Sequence, residues 1–306
     1  MQSNSLKHNS HYVFRPNLHL KKNLLDIVRN KKIDIIVSFS DSWIGILAAS
    51  IAKEAKCKLL IDAYDNYESY TPYFKPLHYA WRKACHQADY LTASSTPLLN
   101  LLLKNSSFTG LSKVIPMAAD PNFVPLDLKK CRHHFNIDPS IKIIGHFGSI
   151  DKHRNQPFLL KLADHIIDRN DIQIFISGRK LDRQLTTHAK ITNLGYIASE
   201  KIPQLINACN IVLCLNKEDS FGSYASPVKI YEALSCNRRI LCSRTKSIEW
   251  ILNDQQSLLL DLNDDKNANQ KIIDSLENHY SYTCKTQTWR DIAQSFYILI
   301  SSKHLE

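Results

Sequence analysis

The chain has 306 residues, of which 44% are hydrophobic, and a formal net charge of +10. The length allows roughly two domains of ~150 residues each, and the composition is that of an ordinary folded protein. No run approaches the ~20 apolar residues that span a bilayer, and residues 1–14 lack the apolar core of a signal peptide. The eight cysteines include no C-x-x-C pair. Most of them lie among apolar residues, which is typical of reduced core cysteines in a cytosolic protein.

Positive charge is in excess in the first part of the chain, where residues 1–125 contain 15 Lys+Arg and 9 Asp+Glu. Such a surface attracts an anionic membrane or an anionic substrate, and an evenly solvated surface is the alternative. No helix-turn-helix, RNP or zinc signature is present, so we expect no nucleic-acid partner. The sequence predicts a cytoplasmic protein, with peripheral contact at the inner face of the membrane as one interpretation of the charge.

From residue 33 onward, short β-branched runs alternate with amphipathic helical stretches. The first predicted strands are 33–39, 58–64, 89–94 and 113–117, and the helices between them are 42–55, 76–88 and 96–105. Residues 119–128 contain two prolines and little periodicity, which predicts a linker. Alternation of this kind is typical of a parallel sheet covered by helices.

The alternation restarts after the linker. The predicted strands are 142–148, 172–178, 191–196, 210–215, 238–243 and 256–262, and the predicted helices are 156–169, 199–209, 227–236, 246–254, 266–279 and 288–301. The pattern predicts an α/β fold of two Rossmann-like, doubly wound parallel-sheet domains facing a cleft. Ligands bind at the carboxyl ends of the strands in such sheets.

We place the first domain at residues 1–122, the second at 123–285 and a C-terminal helix at 286–306, with a return of that helix to the first domain as one arrangement. Four of the seven glycines, at 148, 178, 195 and 222, follow strands of the second domain. Glycine there lets backbone amides approach a ligand, although turn geometry alone explains any single one of them.

The stretch 226–243, SPVKIYEALSCNRRILCS, combines a helix start with two charged residues one turn apart. Ser226 is a suitable N-cap and Pro227 suits the first helical position. Lys229 and Glu232 are neighbours on the helix surface. One interpretation is an ordinary surface ion pair. The other is a helix N-terminus that binds phosphate, with a carboxylate one turn deeper for sugar hydroxyls.

Four blocks of the second half, taken in order, resemble the donor-binding half of group 1 (family 4) glycosyltransferases. They are IIGHFGSIDKHRN, IQIFISG, NLGYIASEKIPQLINACNIVLCL and SPVKIYEALSCNRRILCS, and the last matches the S-P-x-K-x-x-E variant of the family signature. The resemblance implies the GT-B fold, in which two Rossmann-like domains face a cleft and the second holds a nucleotide-sugar donor.

In the first half, IDAYDNYESY, ADYLTASSTPLLNLL and VIPMAADPNF resemble the family less sharply. Met117 and Ala118 replace an Asn-Gly pair that the family usually has. Residues 1–32 contain no glycine, whereas family members open with a strand and a glycine-rich loop. The first domain is therefore expected to be incomplete or shortened.

The resemblance implies roles for the residues that follow the first strand of the second domain. The family's arginine position directly after Gly148 holds Ser149, and Arg154 falls at the family's lysine position, with Lys152 as a substitute. A guanidinium matches a phosphate group through forked hydrogen bonds. The predicted donor-binding residues in this segment are Gly148, Ser149, Lys152 and Arg154.

At the helix start, the resemblance implies that the backbone amides around Pro227, Val228 and Lys229 contact the donor diphosphate. Ser226 would donate its hydroxyl to the donor. Glu232 would accept hydrogen bonds from the ribose hydroxyls. The family's additional glutamate, eight residues before Glu232, is replaced by Tyr224. Asp219, or Glu218, would supply a carboxylate near the sugar in place of this glutamate.

In the acceptor half, Asp65 and Glu68 follow a predicted strand and are expected in the cleft. Asp65 would orient the acceptor hydroxyl. The resemblance further implies a retaining, metal-independent transferase without a cofactor, whose substrates are a nucleotide-diphosphate sugar and a glycan, lipid-linked or other acceptor. Consistent with this, no D-x-D motif is flanked by apolar strand residues, and the 13 histidines lack metal-ligand spacing.

The predicted function is transfer of a sugar in cell-surface polysaccharide synthesis. Two alternatives stay open: a GT-B-like scaffold or partner subunit without transferase activity, and a nucleotide-sugar epimerase. The departures at Ser149 and Tyr224 favour the scaffold, whereas the intact S-P-x-K-x-x-E motif favours the transferase.

Overall fold

The computed structural model describes residues 18–148, 150, 154–178, 181–278 and 287–301. These residues form two all-parallel sheets, one of four strands and one of six. The prediction of two parallel-sheet α/β domains is therefore confirmed. In this part of the chain, none of the helices has the length and apolar character needed to cross a lipid bilayer.

The first sheet follows chain order, β1-β2-β3-β4. Its strands are β1 (Ile35–Ser38), β2 (Lys58–Ala63), β3 (Tyr90–Ala93) and β4 (Leu111–Val114), and its helices are α1 (Leu18–Asn30), α2 (Ser42–Ala55), α3 (Lys75–Gln87) and α4 (Thr96–Ser106). Right-handed crossovers that always step in one direction place their helices on one face of a sheet. A doubly wound sheet needs strands on both sides of its first strand, and no described residue pairs with the outer edge of β1.

The opposite face of the first sheet is covered by the last helix, α12 (Trp289–Ser301). Leu299 of α12 is buried in a cluster with Leu60 and Tyr90, while Leu59 and Ile61 belong to the cluster on the other face. Successive side chains of a strand point to opposite faces. The continuous apolar run of β2 is thus explained by burial on both faces.

The second sheet has the order β10-β9-β8-β5-β6-β7. Its strands are β5 (Lys142–Phe147), β6 (Ile172–Ser177), β7 (Ile191–Asn193), β8 (Ile211–Cys214), β9 (Arg239–Ser243) and β10 (Leu259–Leu260), and its helices are α5 (Leu128–His134), α6 (Gln156–His165), α7 (Arg183–Thr186), α8 (Ile202–Ala208), α9 (Val228–Ser235), α10 (Lys246–Ile251) and α11 (Asp265–Glu277). The chain steps outward from β5 to β7 and then returns to the other side of β5. This reversal makes the sheet doubly wound and opens a crevice between β5 and β8.

The chain passes between the domains twice, and we call each passage a crossing. The first crossing leads from β4 to α5, and the second leads into α12. The two run side by side where Ala119 of the first forms a parallel bridge with Thr288 of the second. The predicted linker, 119–128, lies in the first crossing. Its backbone is held by the second domain, because Leu126 donates to the Asn207 side chain over 2.9 Å and Asn207 donates to the Val124 carbonyl over 3.0 Å.

All ten predicted strands are present. Nine lie within their predicted bounds and are shorter, whereas β4 begins two residues earlier and ends three residues earlier than predicted. Three helices were not predicted: α1, α5 and the single turn α7. Helices α5 and α7 are preceded by the capping residues Asp127 and Asp182, whose side chains accept hydrogen bonds from first-turn amides. Helices of four to seven residues are too short to show a clear period, so their caps were the only usable signal.

Gly45 of α2 sets how closely α2 approaches α3. A Cβ at this position would overlap the Trp81 ring, which is buried and packs edge-on against Tyr67. We expect Gly45→Ala to lower the free energy of unfolding by about 1–3 kcal/mol through overpacking, despite its better helix propensity. Urea denaturation followed by tryptophan fluorescence measures this change.

Ser50→Ala on the exposed face of α2 is the matched control, because it improves helix propensity at an exposed site. It should leave stability unchanged or slightly higher. Equal stability of Gly45→Ala and wild type would show that α2 and α3 are not in close contact.

Candidate functional site

A cavity of about 340 Å³ lies in the crevice at the carboxyl ends of β5 and β8. It is lined by Phe147, Gly148, Arg154, Ile202, Ile206, Pro227, Val228, Lys229 and Glu232. The lining combines side chains from β5, from the segment before α6, from α8 and from the first turns of α9. The structure thus brings together six residues that the sequence selected: Gly148, Arg154, Pro227, Val228, Lys229 and Glu232.

Gly148 ends β5 with a left-handed backbone, φ +102°, which glycine adopts without strain. A Cβ here would lie 3.5 Å from the Lys229 ammonium nitrogen. The other three glycines differ, since a Cβ at Gly178 or Gly222 would overlap backbone atoms, and Gly195 needs its positive φ of +67°. Only Gly148 of the four lines this cavity, so turn and packing geometry accounts for the others.

Arg154 is held in place by Asn216, the second residue after β8. Its Nη1 donates to Asn216 Oδ1 over 2.6 Å, and its guanidinium carbon lies 5.2 Å from the centre of the Phe221 ring. Asn216 is itself buried, and its backbone amide donates to the Ser243 hydroxyl over 2.7 Å. A guanidinium has five N–H donors, so this arrangement fixes Arg154 and leaves donors for a ligand.

Sequence reasoning missed Asn216 and Phe221. The available signal for Asn216 was its place directly after the buried run 210–215, at the carboxyl end of a strand beside the switch point. No local pattern marked Phe221, because its contact with Arg154 joins residues 67 positions apart.

Lys229 lies in the first turn of α9, with its ammonium beside Gly148. Burial lowers the pKa of Lys229, and the Arg154 charge lowers it further, whereas the nearby Glu232 carboxylate raises it. Neither Lys229 nor Arg154 forms an ion pair with a carboxylate of the described residues. Two cations that share one cavity create a strongly positive site, which favours an anion.

Glu232 lies one turn deeper in α9, on the cavity wall. No ion pair joins it to Lys229 in the described structure, so the surface-ion-pair interpretation is wrong. Burial raises the pKa of Glu232, the Lys229 charge lowers it, and Asp120 of the crossing adds repulsion. A partly buried carboxylate on a cavity wall is suited to accept hydrogen bonds from hydroxyl groups of a ligand.

The start of α9 differs from the prediction by one residue. The helix begins at Val228, and Pro227 occupies the capping position without a side-chain hydrogen bond. The amides of Val228 and Lys229 have no carbonyl one turn earlier in the helix to which they could donate. They are therefore available, together with the positive end of the helix dipole, for an anion in the cavity.

Ser226 is the predicted site residue that the structure places elsewhere. Its hydroxyl is buried and accepts a hydrogen bond from the Ser94 hydroxyl of the first domain over 2.9 Å. The expected capping role is wrong, because the side chain faces the other domain and not the helix. Ser226 is not part of the cavity lining, and its role is to join the two domains.

Asp219 shapes the loop between β8 and α9. Its Oδ1 accepts from the amides of Phe221 over 2.9 Å and Gly222 over 2.8 Å, while Glu218 accepts from the Ser223 hydroxyl over 2.6 Å. These bonds keep Phe221 beside Arg154. The contact of Asp219 with a sugar stays a prediction. Ser149 and Lys152, both predicted to bind the donor, lie outside the described residues.

Asp65 lies across the cleft from this cavity, after β2. It accepts a hydrogen bond from Tyr70 Oη over 2.7 Å. Burial raises the pKa of Asp65, whereas the Tyr70 hydrogen bond and the Arg154 charge lower it. Asp65 is therefore close enough to Arg154 for their charges to interact, which is the position expected of an acceptor-side carboxylate.

Glu68 does not reach the cleft as predicted. Its two carboxylate oxygens accept from Arg82 over 2.7 and 2.5 Å, and His78 approaches it at 3.8 Å. A bidentate pair of this kind satisfies the carboxylate within the first domain. Glu68 therefore stabilises the loop after β2 instead of facing a ligand.

Small polar side chains close the cleft between the domains. The Ser95 and Ser247 hydroxyls lie 2.8 Å apart, and Asn66 donates to the Ser220 carbonyl over 2.8 Å. The Tyr70 and Phe221 rings pack with their centres 6.1 Å apart. The carboxyl ends of both sheets thus meet at one cleft. The described residues include no group of three or more His, Cys, Asp or Glu side chains placed to hold a metal ion.

Comparisons with known proteins agree with this geometry. Residues 141–278 match the family of glycosyl transferases group 1. No curated protein sequence matches the chain significantly. Many solved structures do, and those described below are all glycosyltransferase-type folds at low sequence identity.

HepE of Anabaena, solved with UDP-glucose, is 17% identical with a TM-score of 0.60, over 75% of this chain and 65% of that chain. The chain therefore spans less than two thirds of the length of HepE in this match. Sucrose-phosphate synthase of Thermosynechococcus elongatus is 14% identical with a TM-score of 0.71, over 94% of this chain and 77% of that chain. A glycosyltransferase of Rickettsia africae is 17% identical with a TM-score of 0.65, over 89% of this chain and 74% of that chain.

The likeness to these structures covers both domains and the cleft, whereas the sequence match covers the second domain with its cavity. Residues 141–278 are therefore similar to a group 1 glycosyltransferase domain, within a chain that has the two-domain GT-B fold.

Proposed function

We propose that this protein is a retaining glycosyltransferase that moves a sugar from a nucleotide-diphosphate donor to a glycan or lipid-linked acceptor. One observation supports this above the others: Arg154, Lys229, the open start of α9 and Glu232 surround a single cavity. HepE of Anabaena was solved with UDP-glucose in one crystal and with UDP and glucose in another. A nucleotide-diphosphate sugar is the donor class that this likeness supports.

In the proposed complex, the diphosphate lies at the start of α9. The amides of Val228 and Lys229 donate to its oxygens, and Arg154 and the Lys229 ammonium offset its charge. Glu232 accepts from the ribose hydroxyls, one turn deeper. Ile202 and Ile206 of α8 form an apolar wall of the cavity against which the base packs.

The chemical step breaks the bond between the sugar's anomeric carbon and the diphosphate oxygen. A bond forms between that carbon and the acceptor hydroxyl oxygen on the same face, and the hydroxyl proton passes to the leaving diphosphate. Negative charge then develops on the leaving diphosphate, next to two fixed cations and a helix N-terminus. Preorganised positive groups at the place where charge develops stabilise a transition state more than the ground state. We propose that this effect is the main catalytic contribution, without a cofactor or a resident metal ion. Asp65 orients the acceptor hydroxyl from the opposite side of the cleft.

The wider role is proposed on weaker likenesses. WaaG, described as a glycosyltransferase involved in lipopolysaccharide biosynthesis, is 11% identical with a TM-score of 0.61. Together with the positive charge of residues 1–125, this supports a cytoplasmic enzyme of cell-surface polysaccharide synthesis. Peripheral contact with the anionic inner face of the membrane would bring it to a lipid-linked acceptor.

One observation favours a second candidate, a nucleotide-binding partner subunit without transferase activity. Tyr224 stands where the resemblance places a sugar-binding glutamate, and Lys246 lies 5.4 Å above its ring. Tyr224 also packs against the core of the first domain. Its side chain is thus used for packing at the domain interface.

Incubation with a panel of nucleotide sugars tests the transferase. We expect free nucleoside diphosphate to be released from one donor, and only when a glycan acceptor is present. Binding of a nucleoside diphosphate without release under any condition would support the partner subunit instead. Interconversion of the donor sugar without acceptor would indicate an epimerase.

Arg154→Ala removes one phosphate contact and should weaken nucleoside diphosphate binding by roughly ten- to a hundredfold, since hydrogen bonds to charged groups contribute about 1.5–3 kcal/mol. Titration calorimetry with UDP, GDP and ADP measures the affinity. Arg183→Ala, at an exposed position on α7, is the matched control and should bind like wild type. Unchanged affinity in Arg154→Ala would exclude the proposed phosphate site.

Glu232→Ala should abolish recognition of the ribose. We expect wild type to bind UDP about tenfold or more tightly than 2′,3′-dideoxy-UDP, because charge-assisted hydrogen bonds to the hydroxyls are lost in the analogue. In the variant the two nucleotides should bind equally. The same preference in both proteins would show that Glu232 does not contact the ribose.

Glu232→Gln should raise the melting temperature at neutral pH. Burial raises the pKa of Glu232, so the folded state holds this proton more strongly than the unfolded state does. Stability from this group therefore falls as pH rises from its ordinary pKa through the raised one. The advantage of the variant should shrink as the pH is lowered through that range.

Thermal unfolding of wild type and variant at a series of pH values measures this difference. Glu200→Gln is the control, because Glu200 is exposed and its pKa is lowered by local hydrogen bonds, so no gain is expected. A pH-independent difference for Glu232→Gln would contradict the argument.

A further inference from the structure

Four large aromatic side chains at the carboxyl end of the first sheet are open to solvent. Trp43 is 43% exposed, Tyr70 48%, Tyr73 95% and Phe74 47%. Trp43 lies in the first turn of α2, directly after β1, and the other three lie between β2 and α3. We call these four residues the aromatic rim. Clustered exposed apolar side chains are typical of binding surfaces, whereas single ones need no explanation.

One residue of the aromatic rim, Tyr70, is connected to the donor cavity. The Trp43 and Phe74 rings lie 6.3 Å apart, centre to centre, with a tilt of 39°. Tyr70 packs against Phe221 at 6.1 Å, and Phe221 lies beneath the Arg154 guanidinium at 5.2 Å. A path of contacts therefore leads from the proposed diphosphate site across the cleft to Tyr70. The charge of Asp41, whose carboxylate accepts from the Trp43 amide, also acts on Tyr70.

The loop that presents Tyr70, Tyr73 and Phe74 is held in place by polar contacts beneath it. Glu68 pairs with Arg82, and His78 Nε2 lies 2.9 Å from the Thr71 carbonyl oxygen. Tyr67 is buried and packs edge-on against Trp81 at 5.3 Å. Side chains on such a support lose little conformational entropy when a ligand binds.

The turn that presents Trp43 is held just as firmly. The Asp41 carboxylate caps α2 and accepts from the Trp43 amide over 2.9 Å. Ser40, the residue before Asp41, has a φ of +97°, which a residue other than glycine seldom adopts. Strained backbone of this kind is concentrated at ligand sites. The exposure of the rim is thus maintained by structure at its base.

Two carboxylates accompany the rings. Asp65 accepts from the Tyr70 hydroxyl over 2.7 Å, and the charges of Asp65 and Asp41 both act on Tyr70. Lys75, which directly follows Phe74, is an exposed cation. The local charge is therefore mixed, which does not match the clusters of lysine and arginine that recognise an anionic bilayer.

A pyranose ring combines the two chemistries that this surface offers. Its C–H hydrogens form an apolar face with slight positive charge, which packs on the negative face of an aromatic ring. Its hydroxyls donate to carboxylates. Membrane lipid tails would use the rings but leave Asp41 and Asp65 facing an apolar phase, which is costly.

We propose that the aromatic rim is a stacking subsite for a pyranose ring of the acceptor, so that the acceptor of this protein is a glycan or carries a sugar next to the hydroxyl that reacts. The inference rests on the proposed function. The ring stacks on Trp43 and Phe74, and Asp65 with Tyr70 holds the hydroxyl edge toward the donor cavity.

Saturation-transfer NMR tests this with the full chain and a panel of methyl pyranosides, at about 20 mM because one stacked ring binds in the millimolar range. We expect at least one glycoside to receive saturation on the ring protons of one face. Trp43→Ala should reduce that transfer at least about fivefold, the loss expected for one aromatic contact. Trp289→Ala is the matched control, since Trp289 is also 43% exposed, and it should leave the transfer unchanged.

UDP is included in each sample, so that donor binding is read separately. Saturation of UDP without saturation of any pyranoside would overturn the aromatic-rim proposal and leave the proposed function standing. Saturation of a pyranoside that Trp43→Ala does not reduce would also overturn it. A Trp43-dependent pyranoside signal without any saturation of UDP would support the stacking subsite. It would contradict the proposed UDP-type donor.

Two further readouts cover other occupants of the surface. Sedimentation with vesicles of anionic phospholipid that depends on Trp43, without a pyranoside signal, would assign the surface to a membrane and overturn the proposal. A dimer that Trp43→Ala dissociates would assign it to a second copy. Trp43→Tyr keeps a ring of the same type and should restore part of the pyranoside signal, which separates stacking from loss of folding.

Discussion

The reversal of strand order between β5 and β8 is the constraint on which the site depends. Because the chain steps outward to β7 and then returns to the other side of β5, no crossover helix covers the carboxyl ends of these two strands. The gap is filled from the side by Arg154, by Asn216 and by the start of α9. The same topology that leaves a hollow therefore brings two cations and a helix N-terminus to it.

Bringing two cations and a buried carboxylate into one cavity is electrostatically unfavourable when no ligand is bound. Burial and the Arg154 charge lower the pKa of Lys229, and burial raises the pKa of Glu232. In the absence of a ligand these groups are less stable than they would be in water. The folded core tolerates this cost, since the sheet beneath is buried and almost wholly apolar. A diphosphate would relieve the repulsion between the cations, which gives a physical reason for the site to bind it.

The first domain contributes a different kind of surface. Its sheet is covered on one face by its own helices and on the other by α12, which returns from the end of the chain. The two crossings of the chain run side by side at Ala119 and Thr288, so the second domain is fixed at both ends of its sequence. Buried hydroxyl groups of Ser94, Ser226 and their neighbours hold the carboxyl ends of the sheets against each other. The aromatic rim and the charged cavity consequently face one cleft.

Much of this protein could be read from local pattern. The ten strands follow from β-branched runs between turn residues, and the order of the motifs from 143 to 243 indicated the family before any geometry was known. Gly148 was selected because it ends a predicted strand, and Lys229 and Glu232 because they lie at a helix start. Arg154 was selected by its place in the segment that resembles the family. Local signals of this kind depend on contacts within a few residues.

Tertiary structure alone decided the remaining points. Ser226 looked like a helix cap, but a hydroxyl 132 residues away in the chain pairs with it. Glu68 looked like a cleft residue, but Arg82 on the next helix holds it. Asn216, Phe221 and the aromatic rim have roles only because distant segments meet at the cleft. A side chain's local sequence limits what it can do, whereas its partners across the fold determine which of those possibilities is realised, since pairing energy depends on distance in space and not along the chain.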